Sequence, residues 1–153
     1  MSPFSLCLAQ LTNFLIICAL DKTSAISFRD CGSVGATLVA VDVTPCNDDP
    51  CVLSRDSVAT IRIAFRPLIA IDVRGYTMQG TIANQRVSVT LPQNGVCGRI
   101  NPSCVLQAGE IYNYFFSALV PANVRSGPML VRWELLNTRN EMFLCFEFTV
   151  QLV

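Results

Sequence analysis

The chain contains no histidine among its 153 residues, and only 14% of its residues are charged. Histidine is the most frequent general base and metal ligand in proteins, so its absence removes the usual catalytic and metal-binding arrangements. The formal net charge is zero at pH 7, so no basic field is available to attract a nucleic acid. These absences predict a binding protein that is not an enzyme and that uses no cofactor, metal or nucleic acid.

Helical periodicity, internal repeats and a glycine-rich phosphate loop are also missing from the sequence. The chain has no Asn-x-Ser/Thr sequon for N-glycosylation, because Pro102 excludes the candidate formed by Asn101 and Ser103. Without an N-glycan, targeting to lysosomes through mannose phosphate has no attachment point. The sequence therefore favours an extracellular destination.

Residues 1–25 have the pattern of a secretory signal peptide. A mostly apolar run of about 15 residues from Leu6 to Leu20 is followed by small residues that end at Ala25. A polar-interrupted run of that length is short for a transmembrane helix, so we expect no stable membrane insertion. We expect a secreted protein whose single mature domain comprises residues 26–153.

Six of the eight cysteines follow this leader: Cys31, Cys46, Cys51, Cys97, Cys104 and Cys145. An even set in a secreted chain is typical of a disulfide framework. The spacing suggests that Cys46 with Cys51 and Cys97 with Cys104 close two short disulfide loops, which leaves Cys31 to pair with Cys145. However, six cysteines allow 15 pairings. A metal site would need CxxC-type spacing or histidines, and the sequence has neither.

Apolar and polar residues alternate with a period of two along most of the mature chain, which predicts β-strands. The clearest strands are 59–65, 86–91, 112–120, 129–135 and 144–152, and weaker ones are Thr37–Val43 and Ile69–Met78. Turn-forming residues separate the runs, for example Pro92–Gly95. The pattern predicts an all-β, immunoglobulin-like, two-sheet antiparallel β-sandwich.

Several short motifs resemble those of the Niemann–Pick type C2-like proteins of the ML lipid-recognition domain family. They are Phe28-Arg29-Asp30-Cys31-Gly32-Ser33, Pro45-Cys46, Pro50-Cys51, the Cys97/Cys104 loop, Tyr112-x-Tyr114, Trp133-Glu134-Leu135 and Cys145. The resemblance implies the disulfides Cys31–Cys145, Cys46–Cys51 and Cys97–Cys104. It also implies a hydrophobic pocket between the two sheets.

The resemblance further implies which residues contact a ligand. The pocket interior would be formed by Val43, Leu53, Ile61, Ile63, Phe65, Tyr114, Phe116, Ala118, Val120, Trp133, Phe146, Phe148 and Val150. The pocket mouth would be formed by Val89, Val120 and Val124, with the polar end of the ligand nearby. The period-two pattern turns the same strand residues inward, so a filled core is the alternative interpretation.

The implied function is transport of a small hydrophobic ligand by a monomer. The ligand would be a sterol, a fatty acid or a hydrophobic semiochemical. Sterol-carrying relatives have aromatic residues where this chain has Val89 and Val124. This difference favours a fatty acid or a hydrophobic semiochemical over a sterol. Arg62, Arg66 or Arg74 could pair with a fatty-acid carboxylate. The alternative function is a lipid-presenting, receptor-interacting protein of the innate-immunity type.

Overall fold

The structure, a computed structural model, describes residues 24–90 and 96–153. Most of the predicted leader (1–23) and the predicted turn Pro92–Gly95 lie outside the described residues. The described strands are β1 (Ser24–Ala25), β2 (Arg29–Asp30), β3 (Ala36–Thr44), β4 (Cys51–Leu53), β5 (Val58–Pro67), β6 (Ile71–Ile82), β7 (Gln85–Thr90), β8 (Ile100–Asn101), β9 (Val105–Leu106), β10 (Tyr112–Leu119), β11 (Gly127–Asn137) and β12 (Met142–Leu152). A 3-10 turn spans Cys97–Arg99. In this part of the chain, no helix is long and apolar enough to cross a membrane.

The strands form two facing sheets. Sheet A has the order β1-β3-β5-β10-β8, and sheet B has the order β2-β12-β11-β6-β7, with β4 beside β12 and β9 beside β6. All described pairings are antiparallel except that of β4 with β12, which is parallel. The predicted all-β, two-sheet architecture is confirmed, with this parallel pair as an addition that the sequence pattern did not indicate.

Alternation places one face of each long strand in the core. On β10, Tyr112, Tyr114 and Phe116 are buried, while Phe115 and Ser117 are exposed. This is the division expected when successive side chains point to opposite faces of a pleated strand. The main departure is on β12, where the register with β11 shifts by one residue and leaves the buried Phe143 beside the buried Leu144. A β-bulge of this kind turns consecutive side chains inward, which strict alternation cannot predict.

Three disulfides fasten the sandwich. They are Cys31–Cys145, Cys46–Cys51 and Cys97–Cys104, the pairing that the family resemblance implies. At the first bridge, the backbone N–H of Cys31 also donates to the Cys145 carbonyl oxygen at 3.0 Å. This bridge therefore joins the segment after the two-residue β2 to the buried β12.

The N-terminal edge of sheet A includes residues on both sides of the predicted cleavage point. Ser24 and Ala25 pair with Val43 and Asp42 of β3, and the backbone N–H of Ile26 donates to Val41. Cleavage after Ala25 would remove β1 and leave Ile26 as the first residue held against β3. The position of cleavage stays a prediction.

The outer face of sheet B carries a network of charges around Glu147, which is 9% exposed. Its carboxylate forms ion pairs with Arg29 and, at 3.4 Å, with Arg132. Arg132 also bonds Glu134 at 2.9 Å, and Thr77 donates its hydroxyl to Glu134 at 2.9 Å. The network covers the centre of this outer face.

Glu147 should make the stability of the protein sensitive to acid. The hydrogen bond from Arg29 lowers the pKa of the Glu147 carboxyl, and the charges of Arg29 and Arg132 lower it further against the opposing effect of burial. Because the folded-state pKa lies below the unfolded-state value near 4.5, the stabilisation is present above pH 4.5 and is lost as the pH falls through the folded-state pKa. We expect urea midpoints measured from pH 7 to pH 3 to fall less steeply for Glu147→Gln than for the wild type.

The matched control is Glu110→Gln, because Glu110 is exposed. This variant should follow the wild-type pH profile. Equal slopes for Glu147→Gln and Glu110→Gln would show that the network around Glu147 does not contribute to acid sensitivity.

Candidate functional site

The centre of the sandwich is a cluster of aromatic rings contributed by both sheets. Trp133 on β11 stacks on Tyr76 of β6 with ring centroids 5.5 Å apart, and on Phe146 of β12 at 6.5 Å. From sheet A, the rings of Tyr114 and Phe116 meet Trp133 edge-on at 6.0 and 5.1 Å. These are the separations and orientations in which aromatic pairs attract each other. The rings occupy the space between the sheets at this level.

Most residues predicted for the interior are buried between the sheets. The fully or nearly buried ones are Val43, Leu53, Ile63, Phe65, Tyr114, Phe116, Trp133, Phe146, Phe148 and Val150. Ile61, Ala118, Val120 and Val124 are partly buried and pack against this core. Val89 lies on β7 opposite Met78, and its side chain is outside the described part of the structure. Burial places these residues together, and their contact with a ligand stays a prediction.

An apolar cavity of about 100 Å³ lies between the sheets beyond the end of β10. It is lined by Met78, Gly80, Val120, Pro121, Val124, Met129, Val131 and Leu152. No lining side chain carries a nitrogen or oxygen atom. Val120 and Val124, which the resemblance implied for the pocket mouth, line this cavity, and their contact with a ligand stays a prediction. Met78 of β6 and Met129 of β11 were not among the predicted ligand-binding residues. Strand alternation could have found Met78, which lies two residues beyond the inward-facing Tyr76.

The cavity is too small for the ligands under consideration. A volume of about 100 Å³ is well below the about 300–1,000 Å³ that pockets for small organic ligands typically enclose. A methyl group added at Gly80 would approach the sulfur of Met129 to 3.0 Å, so this methionine closely covers one wall. Methionine is unbranched and adopts many shapes, so this wall can rearrange. In this closed form of the sandwich, the cavity is smaller than such a ligand.

Two polar atoms of the aromatic cluster are buried without a partner. Neither the Tyr114 hydroxyl nor the Trp133 indole N–H makes a hydrogen bond to any described residue. Burial raises the pKa of Tyr114 far above its ordinary value, and the nearby Tyr76 raises it further. The hydroxyls of Tyr76 and Tyr114 thus affect each other's pKa. However, no atom lies in hydrogen-bond geometry with the Tyr114 hydroxyl. Such unsatisfied groups are uncommon in native cores and cost about 1–3 kcal/mol each.

Arg99 brings a positive charge to the same cluster. Its guanidinium carbon lies 5.5 Å from the centre of the Phe116 ring, and its charge acts to lower the pKa of Tyr76 and Tyr114 against the effect of burial. Among the described residues, Arg99 has no carboxylate within ion-pair distance. The sequence pattern does not single out Arg99 or Tyr76, because the disulfide-closed loop that carries Arg99 and the strand that carries Tyr76 come together only in the folded chain.

The arginines that the sequence suggested for a carboxylate make contacts outside the cluster. Arg62 forms an ion pair with Asp42 on the outer face of sheet A. Arg66 follows on the same exposed face of β5, and Arg74 donates to the backbone carbonyl of Thr138 at 3.3 Å. Arg99, whose side chain is exposed, lies at the edge of the cluster over the Phe116 ring.

Two larger depressions lie on the outside of the sandwich. One of about 420 Å³ borders the loops around Val34 and Arg139, and one of about 580 Å³ borders Phe28 and Arg29. Both are open to solvent and have charged rims, unlike the inter-sheet cavity. The described residues contain no cluster of three or more cysteine, aspartate or glutamate side chains that could hold a metal.

The fold and the cavity together define a disulfide-bridged β-sandwich with an apolar space between its sheets. The sequence model of the ML domain matches residues 25–152. The chain belongs to the ML domain family.

Named proteins with similar sequences and structures agree with this assignment. The chain is 27% identical over 143 residues to the zebrafish (Danio rerio) NPC intracellular cholesterol transporter 2, covering 94% of this chain and 93% of that protein. It is 29% identical over 125 residues to the ecdysteroid-regulated 16 kDa protein of Manduca sexta, covering 80% and 86%. The crystal structure of a Niemann-Pick type C2 protein from the Japanese carpenter ant shares the fold, with a TM-score of 0.71 and 20% identity, covering 83% of this chain and 99% of that one.

Proposed function

We propose that this protein is a non-catalytic carrier that binds a small hydrophobic ligand between its two sheets. The observation that supports the proposal most directly is the apolar inter-sheet cavity, whose lining includes Val120 and Val124. The zebrafish relative is named an NPC intracellular cholesterol transporter, which supports lipid carriage as the function of this chain. The ligand class extends to sterols, fatty acids and hydrophobic semiochemicals.

Binding would be driven by removal of apolar surface from water. A sterol or a C16–C18 chain would gain roughly 8–10 kcal/mol gross at about 25 cal/mol per Å², before the losses of motion on binding are subtracted. Because the cavity is closed, part of this gain is spent on separating the sheets and moving side chains such as Met78 and Met129. The rings of Tyr114, Phe116 and Trp133 would then shape the deeper part of the enlarged pocket.

The carrier is proposed to be secreted, with residues 1–25 as its signal peptide, and to act as a monomer. The disulfides support this proposal, because they form and persist in oxidising compartments. A receptor-interacting role is the alternative, and it would require an exposed apolar rim around the pocket. In the described part of the cavity lining, Val120, Val124 and Met129 are partly exposed and Pro121 is exposed, so part of the rim is accessible. The apolar lining of the cavity favours the carrier role.

Native mass spectrometry of the secreted protein tests the proposal directly. We expect a fraction of the protein to carry a lipid, which can be released and identified, and we expect delipidated protein to take up added palmitate or cholesterol. A protein that is isolated without lipid and binds neither compound would contradict the carrier proposal.

A variant that fills the cavity should lose ligand binding but keep its fold. Val131 is 4% exposed and lines the cavity, whereas its neighbour Leu130 points outward and is 40% exposed. In Val131→Phe, the added ring enters existing space, so we expect the free energy of unfolding to change by less than about 1.5 kcal/mol. We expect its ligand affinity, measured by displacement of a fluorescent probe, to fall by about tenfold or more.

Leu130→Phe is the matched control on the same strand and should bind as the wild type does. If Val131→Phe is folded and binds ligand with unchanged affinity, the ligand does not occupy this cavity.

A further inference from the structure

Two donors without hydrogen-bond partners lie on opposite sheets at the centre of the molecule. Tyr114 belongs to sheet A and Trp133 to sheet B, both side chains are 0% exposed, and their ring centroids are 6.0 Å apart. A buried hydroxyl and a buried indole N–H gain most from an acceptor atom that enters between them. The Tyr76 hydroxyl lies near Tyr114, but neither donor has a partner in hydrogen-bond geometry among the described residues, so a ligand oxygen is a group that fits.

The charge beside these donors is positive. Arg99 lies over the Phe116 ring and acts electrostatically on both Tyr76 and Tyr114. It follows Cys97 by two residues within the loop that the Cys97–Cys104 disulfide closes, so its backbone is held in place. Arg99 has no carboxylate partner among the described residues and lies beside hydroxyl donors. Such an arginine is suited to bind a planar anionic group such as a carboxylate.

This cluster is adjacent to the apolar cavity. Tyr76 and Met78 are successive inward-facing residues on β6, and Trp133 and Val131 have the same relationship on β11. Successive residues on one face of a strand are roughly 7 Å apart. Because Met78 and Val131 line the cavity, an acyl chain that begins at Arg99 would reach the cavity once the sheets separate and the aromatic rings move apart.

We propose that Arg99, Tyr76 and Tyr114 form a subsite for the carboxylate of an amphipathic ligand, and that the preferred ligand is therefore a long-chain fatty acid. The inference rests on the proposed carrier function and specifies its ligand class. The acyl chain extends toward the cavity lined by Val120 and Val124. In this orientation the polar end of the ligand lies at the Arg99 edge, whereas the sequence resemblance implied that it lies at the valine-lined mouth.

The test compares palmitate with methyl palmitate, which has the same chain but no negative charge. Both compounds are titrated at pH 7.4 and submicellar concentration against delipidated protein loaded with the neutral fluorescent probe N-phenyl-1-naphthylamine. In the wild type, palmitate should bind about tenfold more tightly than its ester, because hydrogen bonds to charged groups contribute more than neutral ones. Arg99→Gln should remove this preference while it leaves the affinity for methyl palmitate unchanged.

Two further variants separate a binding role from a structural one. Arg99→Lys keeps the charge and should restore part of the preference for palmitate. Tyr114→Phe removes a hydroxyl that has no partner, so its melting temperature without ligand should equal or exceed that of the wild type. Its affinity for palmitate should nevertheless fall several-fold. Arg66→Gln, on the outer face of sheet A, should change neither affinity.

The outcomes distinguish the two proposals. If the wild type binds palmitate and methyl palmitate equally, or if Arg99→Gln keeps the preference for palmitate, the carboxylate subsite is wrong and the carrier function stands. If the wild type binds neither compound nor cholesterol, the carrier function fails and the subsite fails with it.

Discussion

Removal of the Cys31–Cys145 disulfide should destabilise the protein more than removal of either short bridge. The two cysteines are 114 residues apart, and closing so long a loop restricts the unfolded chain by about 4–5 kcal/mol in the chain-entropy treatment. The double variant Cys31→Ser, Cys145→Ser also frees the short β2 from β12. We expect the loss to appear as a lower urea midpoint and, at 37 °C, as a substantial unfolded fraction.

The matched control is Cys46→Ser, Cys51→Ser, which opens a bridge between residues only 5 apart. The same treatment gives about 2 kcal/mol for so short a loop. Measurement of both double variants under identical conditions isolates the effect of loop length. Equal losses would contradict the entropic explanation and would indicate that local packing around the sulfur atoms determines the cost.

Trp133→Ala should be the most damaging single substitution in the aromatic cluster. The indole is 0% exposed and contacts the rings of Tyr76, Tyr114, Phe116 and Phe146. Truncation of a buried aromatic residue to alanine typically costs about 3–5 kcal/mol, because the neighbouring groups do not close the space left behind. Chemical denaturation followed by circular dichroism is the appropriate measurement. Trp133 is the single tryptophan of the chain, so the variant has no tryptophan fluorescence to follow.

Phe115→Ala provides the comparison, because Phe115 lies on the outer face of β10 and is 38% exposed. We expect a loss below about 1 kcal/mol for this variant, in keeping with truncation at a partly exposed position. If Trp133→Ala proves as stable as Phe115→Ala but no longer binds ligand, the indole would act as the wall of a pocket that opens in solution. A large loss of stability would show that it is part of the packed core in the unliganded protein.

The wild-type fluorescence of Trp133 also offers a direct view of ligand entry. In the closed form, the indole stacks between Tyr76 and Phe146, one inward-facing position from the cavity residue Val131. A ligand that separates the sheets would change the surroundings of this ring, whichever end enters first. Its emission therefore reports on expansion of the sandwich. The comparison of palmitate with its methyl ester reports instead on the orientation of the ligand in the pocket.

The sequence by itself determined the architecture of this protein. Alternation along runs such as 112–120 and 144–152 defines an inward face, because successive side chains of a strand point to opposite sides. The same alternation identified Tyr114, Trp133 and Phe146 as interior residues, and they are buried. The cysteine motifs led to the family and, through it, to the disulfide pairing. These properties depend on local pattern and spacing, which a sequence records.

Only the tertiary structure decided whether the interior is open or filled and which polar groups meet there. The volume between two sheets depends on their separation and on how side chains from both interlock, so no single strand determines the cavity of about 100 Å³. The bulge at Phe143 and the parallel pairing of β4 with β12 likewise depend on contacts between distant segments. Arg99, Tyr76 and Tyr114 come together because β6, β10 and a disulfide-closed turn converge in space, and that convergence has no signature within any one segment.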